Sequence, residues 1–201
     1  MADVRAVVVK VGGSLLGWEG LRDRLSRWLA TIESRGENPV LIAGGGPVVD
    51  ALRQLDAAHG LGEEASHRLA LRGMDATARV LAALVARSRV VEILGELPDV
   101  WAEGDRPILA PRRFLEEIDE RAADPLPLSW ATTSDSIAAR VAAHVGARLV
   151  LLKSGPTAAR TRGEAAAAGY VDPVFPTACA GLSRVEAVDL RDPRWPATRL
   201  D

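Results

Sequence analysis

The chain has 201 residues, 48% of them hydrophobic and 26% charged, with a formal net charge of -2; that length supports one sizeable core, or one core plus a small lobe, and excludes a disordered chain. The charges are interspersed, so neither nucleic acid nor an anionic membrane is an expected partner, and any anion must be met locally. A lone cysteine, Cys179, excludes an internal disulfide and a cysteine-rich metal centre, and His59, His67 and His144 lack zinc-ligand spacing, so no metal bound by the protein alone is expected.

In chain order, Arg5 to Val11 reads as a strand. It follows Met1-Ala2-Asp3 almost directly, with no signal peptide, and no apolar stretch approaches the roughly 20 residues that span a bilayer, so a cytoplasmic location is expected. Leu21 to Ser34 has helical spacing, with Leu21, Leu25, Trp28, Leu29 and Ile32 on one face, and Pro39 to Ala43 reads as a second strand. After the turn Gly44-Gly45-Gly46-Pro47, Val48, Val49, Leu52 and Leu55 continue at helical spacing. A longer helix is predicted over Glu63 to Ala86, with Leu69, Met74, Val80, Leu81 and Leu84 facing inward.

Arg89 to Leu94 and Pro107 to Ala110 read as further strands, and Pro111 opens a short helix towards Arg121. Asp124-Pro125-Leu126-Pro127 interrupts the pattern, Ser134 to Val145 resumes it as a helix, and Arg148 to Leu152 reads as a strand. Beyond Gly155 the chain is rich in alanine, glycine and proline, with one strand expected at Val185 to Leu190. Strands alternating with helices predict an α/β fold, a three-layer αβα sandwich with a mostly parallel sheet.

Lysine is rare here: Lys10 and Lys153 stand against twenty-three arginines, and both follow apolar runs. A chain this biased towards arginine should keep lysine where a slim, compact ammonium is needed. In open α/β sheets ligands bind beyond the carboxyl ends of the strands. Lys10-Val11-Gly12-Gly13-Ser14, Gly44-Gly45-Gly46-Pro47 and Lys153-Ser154-Gly155 all fall there, and glycines let backbone N–H groups approach an anion. Each glycine cluster alone is equally well explained as a tight turn; two clusters with two lysines point to a phosphate-binding crevice. Neither Gly-x-x-x-x-Gly-Lys-Ser/Thr nor Gly-x-Gly-x-x-Gly occurs, which disfavours P-loop and dinucleotide enzymes.

Within Thr133-Ser134-Asp135-Ser136, Thr133 or Ser134 would cap a helix and Asp135 would suit its first turn, a complete structural account. The functional account places Asp135 at the crevice mouth, holding Lys10 or another cation. His67 and Arg72, on the long predicted helix, could reach an acceptor phosphate or simply be satisfied helix residues. Asp50 reads as a first-turn dipole partner. Trp18 and Trp130 are candidates for lining a pocket or for core.

Together these segments resemble the amino acid kinase superfamily, in which Lys-x-Gly-Gly-Ser, Gly-Gly-Gly-Pro and Ser-Asp-x-x-Ala-Ala occur in this order; the likeness covers most of residues 5 to 155. The resemblance implies that Lys10 stabilises charge on the transferred phosphoryl group and that Asp135 organises the lysines. Gly12, Gly13, Ser14, Ser154 and Gly155 would serve the nucleotide, and Gly44, Gly45, Gly46, Pro47, His67, Arg72 and Ser134 the acceptor. A narrower likeness lies in His67-Arg68-Leu69-Ala70-Leu71-Arg72-Gly73-Met74-Asp75, Leu128-Ser129-Trp130 and Leu151-Leu152-Lys153-Ser154. These are similar to the branch containing [5-(aminomethyl)furan-3-yl]methyl phosphate kinase of methanofuran biosynthesis and relatives tied to one-carbon metabolism. That branch makes a diphosphate from a phosphate monoester, using ATP and Mg2+.

The chain departs from the wider superfamily at Lys153 and Ser154, where most members have threonine and aspartate, and no second lysine follows. Lys153 is therefore expected to take the missing lysine's task. One kinase-like domain is expected over 1-201, with an acceptor and phosphate core at 1-150 and a shortened C-terminal nucleotide lobe at 151-201. A homo-oligomer is expected, with ATP and a phosphorylated small molecule as partners. Two other readings stay open from the residues: a non-catalytic phosphometabolite-binding protein that kept the crevice, and a carboxylate kinase of the acetylglutamate or aspartate type.

Overall fold

The structure, a computed structural model, describes residues 5–201; the expectation about the N-terminal leader rests partly on residues outside that range. In chain order the elements are β1 (Arg5–Val11), α1 (Leu21–Glu33), β2 (Glu37–Ala43), α2 (Gly46–His59), α3 (Glu63–Leu84), β3 (Ser88–Val91), α4 (Leu97–Ala102) and β4 (Arg106–Leu109). Then follow α5 (Arg112–Glu117), α6 (Ser134–Val145), β5 (Arg148–Lys153), α7 (Arg162–Ala167), α8 (Phe175–Ala178), β6 (Val185–Asp189) and β7 (Ala197–Arg199). The seven strands form one sheet in the order β3-β4-β2-β1-β5-β6-β7, parallel except for β7 against β6.

The valine run of β1 is buried because both faces of the sheet are covered, as a parallel sheet requires. Val8 packs with Ile42, Leu149, Leu151 and the α6 residues Ile137 and Val141 on one face. Val7, Val9 and Val11 pack with α1 residues Leu25, Trp28 and Leu29 on the other. Successive strand residues alternate faces, so Lys10 shares the α6 side with Val8. The αβα sandwich expected from the sequence is the fold observed.

Two expectations need correction. The buried stripe of α3 is His67, Leu71, Met74, Ala78 and Leu81, whereas Leu69 and Val80 are 37% and 48% exposed. Spacings of four and three residues keep the buried set on one helical face, and that row excludes 69 and 80. The strand expected over Arg89 to Leu94 stops at Val91, because Leu94–Glu96 curls into a 3-10 turn leading into α4. Beyond Gly155 the chain supplies more order than the single strand expected. Ala165, Val171, Phe175, Ala178 and Leu200 join the α6-side core, so this segment continues the same hydrophobic layer.

Candidate active site

Strand order fixes where the site lies. The chain steps from β1 to β2 on one side, while β5 lies on the other, so the connections diverge at the carboxyl end of β1, where doubly wound sheets open a ligand crevice. Lys10 pairs with Leu151 of β5, and Lys153 lies two residues further along that strand. Parallel partners point the same way and the period is two, so both lysines emerge on the α6 face.

There they meet one carboxylate. Asp135, in the first turn of α6, has Oδ1 2.9 Å from the Lys10 Nζ and Oδ2 2.8 Å from the Lys153 Nζ. Lys10 and Asp135 are each only 4% exposed. Burial pushes the Asp135 carboxyl up, but the two ammonium charges outweigh it and hold the group below the ordinary carboxylate range. Lys153 is brought down to about 8, first by burial and then by the Lys10 charge, with Asp135 opposing both. Its Nζ also donates to the Tyr170 carbonyl at 2.7 Å and lies 5.0 Å from the centre of the Tyr170 ring, so one of its three N–H groups remains for a ligand. Burial raises the Tyr170 phenol well above its usual value, leaving it a neutral donor to the Gly155 carbonyl at 3.2 Å.

The start of α6 is anchored from outside the helix. Thr133, rather than Ser134, is its cap, accepting from the Asp135 N–H at 3.4 Å. Asp172 is 6% exposed and accepts from the Thr133 N–H at 3.1 Å, the Thr133 hydroxyl at 2.7 Å, the Ser136 N–H at 3.1 Å and the Val174 N–H at 3.1 Å, besides the Ser136 hydroxyl. The Tyr170–Asp172 strap therefore fixes both Lys153 and the helix that carries Asp135. Sequence reasoning missed Asp172, because its partners lie 36 and 39 residues away and nothing local marks it.

The two glycine turns pack backbone against backbone. A Cβ on Gly44 would stand 2.5 Å from the Gly13 nitrogen, and one on Gly13 would stand 2.5 Å from the Gly46 nitrogen. Gly46 also has φ +51°, a conformation that favours glycine. Gly44→Ala is expected to cost about 1–3 kcal/mol by overpacking, since the neighbour is main chain and cannot swing away. Gly163→Ala, with open space around the Cβ and a helical position, should be neutral or slightly stabilising. Thermal melts of the two variants check this; equal melting points would contradict it.

The glycine N–H groups divide into two sets. Those of Gly12 and Gly44 extend the strand ladders, to the Leu152 and Val11 carbonyls at 2.8 Å each, so they are not donors for a phosphate as the sequence suggested. Gly13, Ser14, Gly45 and Gly46 border a cavity of about 310 Å³, together with Val49, Asp50, Arg53, His67, Leu71, Met74, Trp130, Thr132, Ser134 and Ile137. Pro47, at the start of α2, is not in the lining. Ser14 Oγ donates to Ser154 Oγ at 3.0 Å, joining the turns after β1 and β5. Ser154 and Gly155, after β5, are not in the cavity lining, and neither are Lys10, Asp135 and Lys153, although Gly13, Ser14 and Ser134 of the lining are their close neighbours in the chain.

His67 is buried, and its ring nitrogen Nδ1 faces the Ser129 carbonyl at 3.2 Å. A carbonyl only accepts, so Nδ1 carries the proton, and burial lowers the ring's pKa, keeping it neutral with Nε2 free as an acceptor. Arg72 does not reach the cavity: it lies on the exposed face of α3 and donates weakly to the Arg68 carbonyl at 3.4 Å. Five residues past His67 is more than a third of a turn away, which carries it off the cavity face. The arginine that does line the cavity, Arg53, stacks over Trp130 at 4.2 Å, and the Trp130 Nε1 donates to Asp56 at 2.7 Å. Trp18 stands away from the cavity, beside Gly20 and 5.4 Å from the Arg191 guanidinium.

The profile described as "Amino acid kinase family" matches residues 5–156. Acetylglutamate kinase of Prochlorococcus marinus is 24% identical over 180 residues, covering 74% of this chain and 58% of the relative. [5-(aminomethyl)furan-3-yl]methyl phosphate kinase of Methanocaldococcus jannaschii is 27% identical over 145 residues, covering 72% of this chain and 63% of the relative. The chain thus spans about three-fifths of the length of the curated relatives it matches. Among solved structures, aspartate kinase from Synechocystis superposes with TM-score 0.68 at 13% identity, over 98% of this chain and 40% of that one. Uridylate kinase from Archaeoglobus fulgidus gives 0.61 at 14%, over 90% and 89% of the two chains. At such identities the likeness is one of fold.

Proposed function

Because the chain belongs to the amino acid kinase family, we propose that it transfers the γ-phosphoryl group of ATP to the phosphate of a small phosphomonoester, with [5-(aminomethyl)furan-3-yl]methyl phosphate as the acceptor. An acceptor phosphate oxygen forms the new bond to the γ-phosphorus as the bond to the β,γ-bridging oxygen breaks, giving a diphosphate and ADP. The observation that carries this reading is the pair of lysines held on one buried carboxylate at the carboxyl end of the sheet. Phosphoryl transfer asks for positioning and charge stabilisation rather than an enzyme nucleophile. Two ammoniums against one carboxylate leave a net positive charge in a dry place, and the turns carrying Gly13, Ser14, Gly45 and Gly46, which line the cavity, follow directly from the carboxyl ends of β1 and β2.

In this reading residues 1-150 hold the acceptor and 151-201 face the nucleotide, with Ser154 and Gly155 at its phosphates and Lys153 acting as the second catalytic lysine. Magnesium has no cage here: among the described residues no group of three or more His, Cys, Asp or Glu could hold a metal, and both Asp135 oxygens are taken by lysines. The ion would enter already bound to the nucleotide phosphates. A cytoplasmic homo-oligomer completes the reading; no helix among the described residues is long and apolar enough to cross a membrane. Support for the acceptor comes from the name of the Methanocaldococcus relative and from a cavity sized for a small ring.

An ADP-release screen of phosphomonoesters and carboxylates tests it. Release only with phosphomonoesters, the furan compound foremost, is the expected outcome; release only with carboxylates such as acetylglutamate, or with none, overturns the reading. The lowered pKa of Lys153 adds a second expectation. Its ammonium is charged below about pH 8 and neutral above, so kcat/KM should fall as pH rises through about 8. In Lys153→Arg, which stays charged, that limb should vanish from whatever activity remains. A flat wild-type profile up to about pH 10, near the ordinary lysine pKa, would contradict it.

A further inference from the structure

Among the described residues Asp50 is the one carboxylate in the cavity lining; it is exposed to solvent, and its place in the helix removes the helix dipole as the reason for it. The sequence suggested a first-turn partner for the helix dipole, but α2 begins at Gly46 and its first turn contains no acidic residue. The dipole's effect fades within that turn. Nor does Asp50 serve an ion pair: among the described residues no Lys, Arg or His nitrogen lies within 4.0 Å of it. Arg53, the nearest cation along the helix, is turned onto the face of Trp130, and the neutral His67 contributes no charge.

We infer that Asp50 selects acceptors bearing a positively charged amine at the end opposite the reacting phosphate. The inference rests on the kinase reading and deepens it. Gly46 and Asp50 are four residues apart on α2, an axial rise of about 6 Å. Gly46, with the Gly13 and Ser14 N–H groups, suits an anion, and Asp50 lines the same cavity about one helical turn further along α2. Val49, Leu71, Met74 and Ile137 supply the cavity's apolar wall. A lining that offers anion-binding N–H groups, an apolar wall and one carboxylate suits a ring with a phosphorylated one-carbon arm and an aminomethyl arm. Arg53 does not oppose the amine while it is stacked on Trp130, and both side chains line the cavity.

The test compares two acceptors, the aminomethyl furan phosphate and its analogue with methyl in place of aminomethyl, on the wild-type protein and Asp50→Asn. Wild type should favour the amine about tenfold or more, the scale of one charge-assisted hydrogen bond. In Asp50→Asn the preference should collapse through a raised KM for the amine, with kcat changed far less and the methyl analogue's KM changed by under about threefold. An unaltered preference in the variant, or none in the wild type, overturns the inference. Calorimetric binding of both phosphates without nucleotide separates the two levels. If neither is turned over but the wild type binds the amine preferentially and Asp50→Asn does not, the kinase reading fails and Asp50 keeps its role. If both are turned over without discrimination, the reverse holds.

Discussion

Replacing Lys10 with alanine is expected to lower turnover by about 100-fold or more, the cost of removing one preorganised charge from a phosphoryl-transfer site. The protein should still fold. Asp135 keeps Lys153 as counter-ion at 2.8 Å, so the change does not strand an unpaired buried carboxylate. Lys10→Arg should lose activity on the same scale. Lys10 lies between Ile42 and Leu151 in the sheet, is 4% exposed, and leaves no room for a planar guanidinium with its wider fork. Steady-state kinetics beside a thermal melt decide the matter. Turnover near wild type in Lys10→Ala, with a cooperative melt, would remove Lys10 from the chemistry.

The second large effect belongs to Asp135. Asp135→Asn leaves two ammoniums facing each other in a buried place with a neutral amide between them, and stability at pH 7 should fall by about 3–5 kcal/mol. The pH dependence gives this loss a signature. A carboxyl held below its ordinary pKa adds stability that is present above the unfolded value and disappears as pH falls through the folded one. The lysine side runs the other way. Lys153 has a depressed pKa, so the unfolded chain binds more protons from about pH 8 up to the ordinary lysine value, and its burden on the native state is relieved as pH rises through that window. Asp135 raises the Lys153 pKa in the wild type, so its loss enlarges that burden, and the deficit of Asp135→Asn should shrink between pH 7 and about 10 as the burden lifts. Denaturant unfolding at the two values would show it, and a deficit independent of pH would mean that the lysines are not charged as described.

Much of this was legible because the strongest signals were local. The Val7–Val8–Val9 run around Lys10 could only be a buried strand, and its period of two, with parallel register, places Lys10 and Lys153 on one face. The glycine turns were legible too, although their first cause is close main-chain contact between Gly13, Gly44 and Gly46, which no single turn reveals. Misjudged residues were those whose surroundings come from elsewhere in the chain. Arg72 reads like a ligand beside His67 until the α3 stripe is phased by Leu71, Met74 and Ala78, which turns it outward. Asp50 reads as a dipole partner only if the helix begins later than Gly46. Asp172 gathers donors from a helix 36 residues away in sequence. One local signal was overlooked: Thr161 and Glu164 form a reciprocal capping box that announces α7 in a stretch read as featureless.

Whether the crevice transfers a phosphoryl group onto a phosphate oxygen is read in one spectrum by phosphorus NMR of the protein incubated with magnesium, ATP and [5-(aminomethyl)furan-3-yl]methyl phosphate. A second pair of coupled diphosphate resonances, distinct from those of ADP, should grow as ATP converts to ADP and the monoester signal declines, and should be absent from the Lys10→Ala reaction. ATP loss with only inorganic phosphate formed, or an unchanged monoester signal after prolonged incubation, would contradict that transfer.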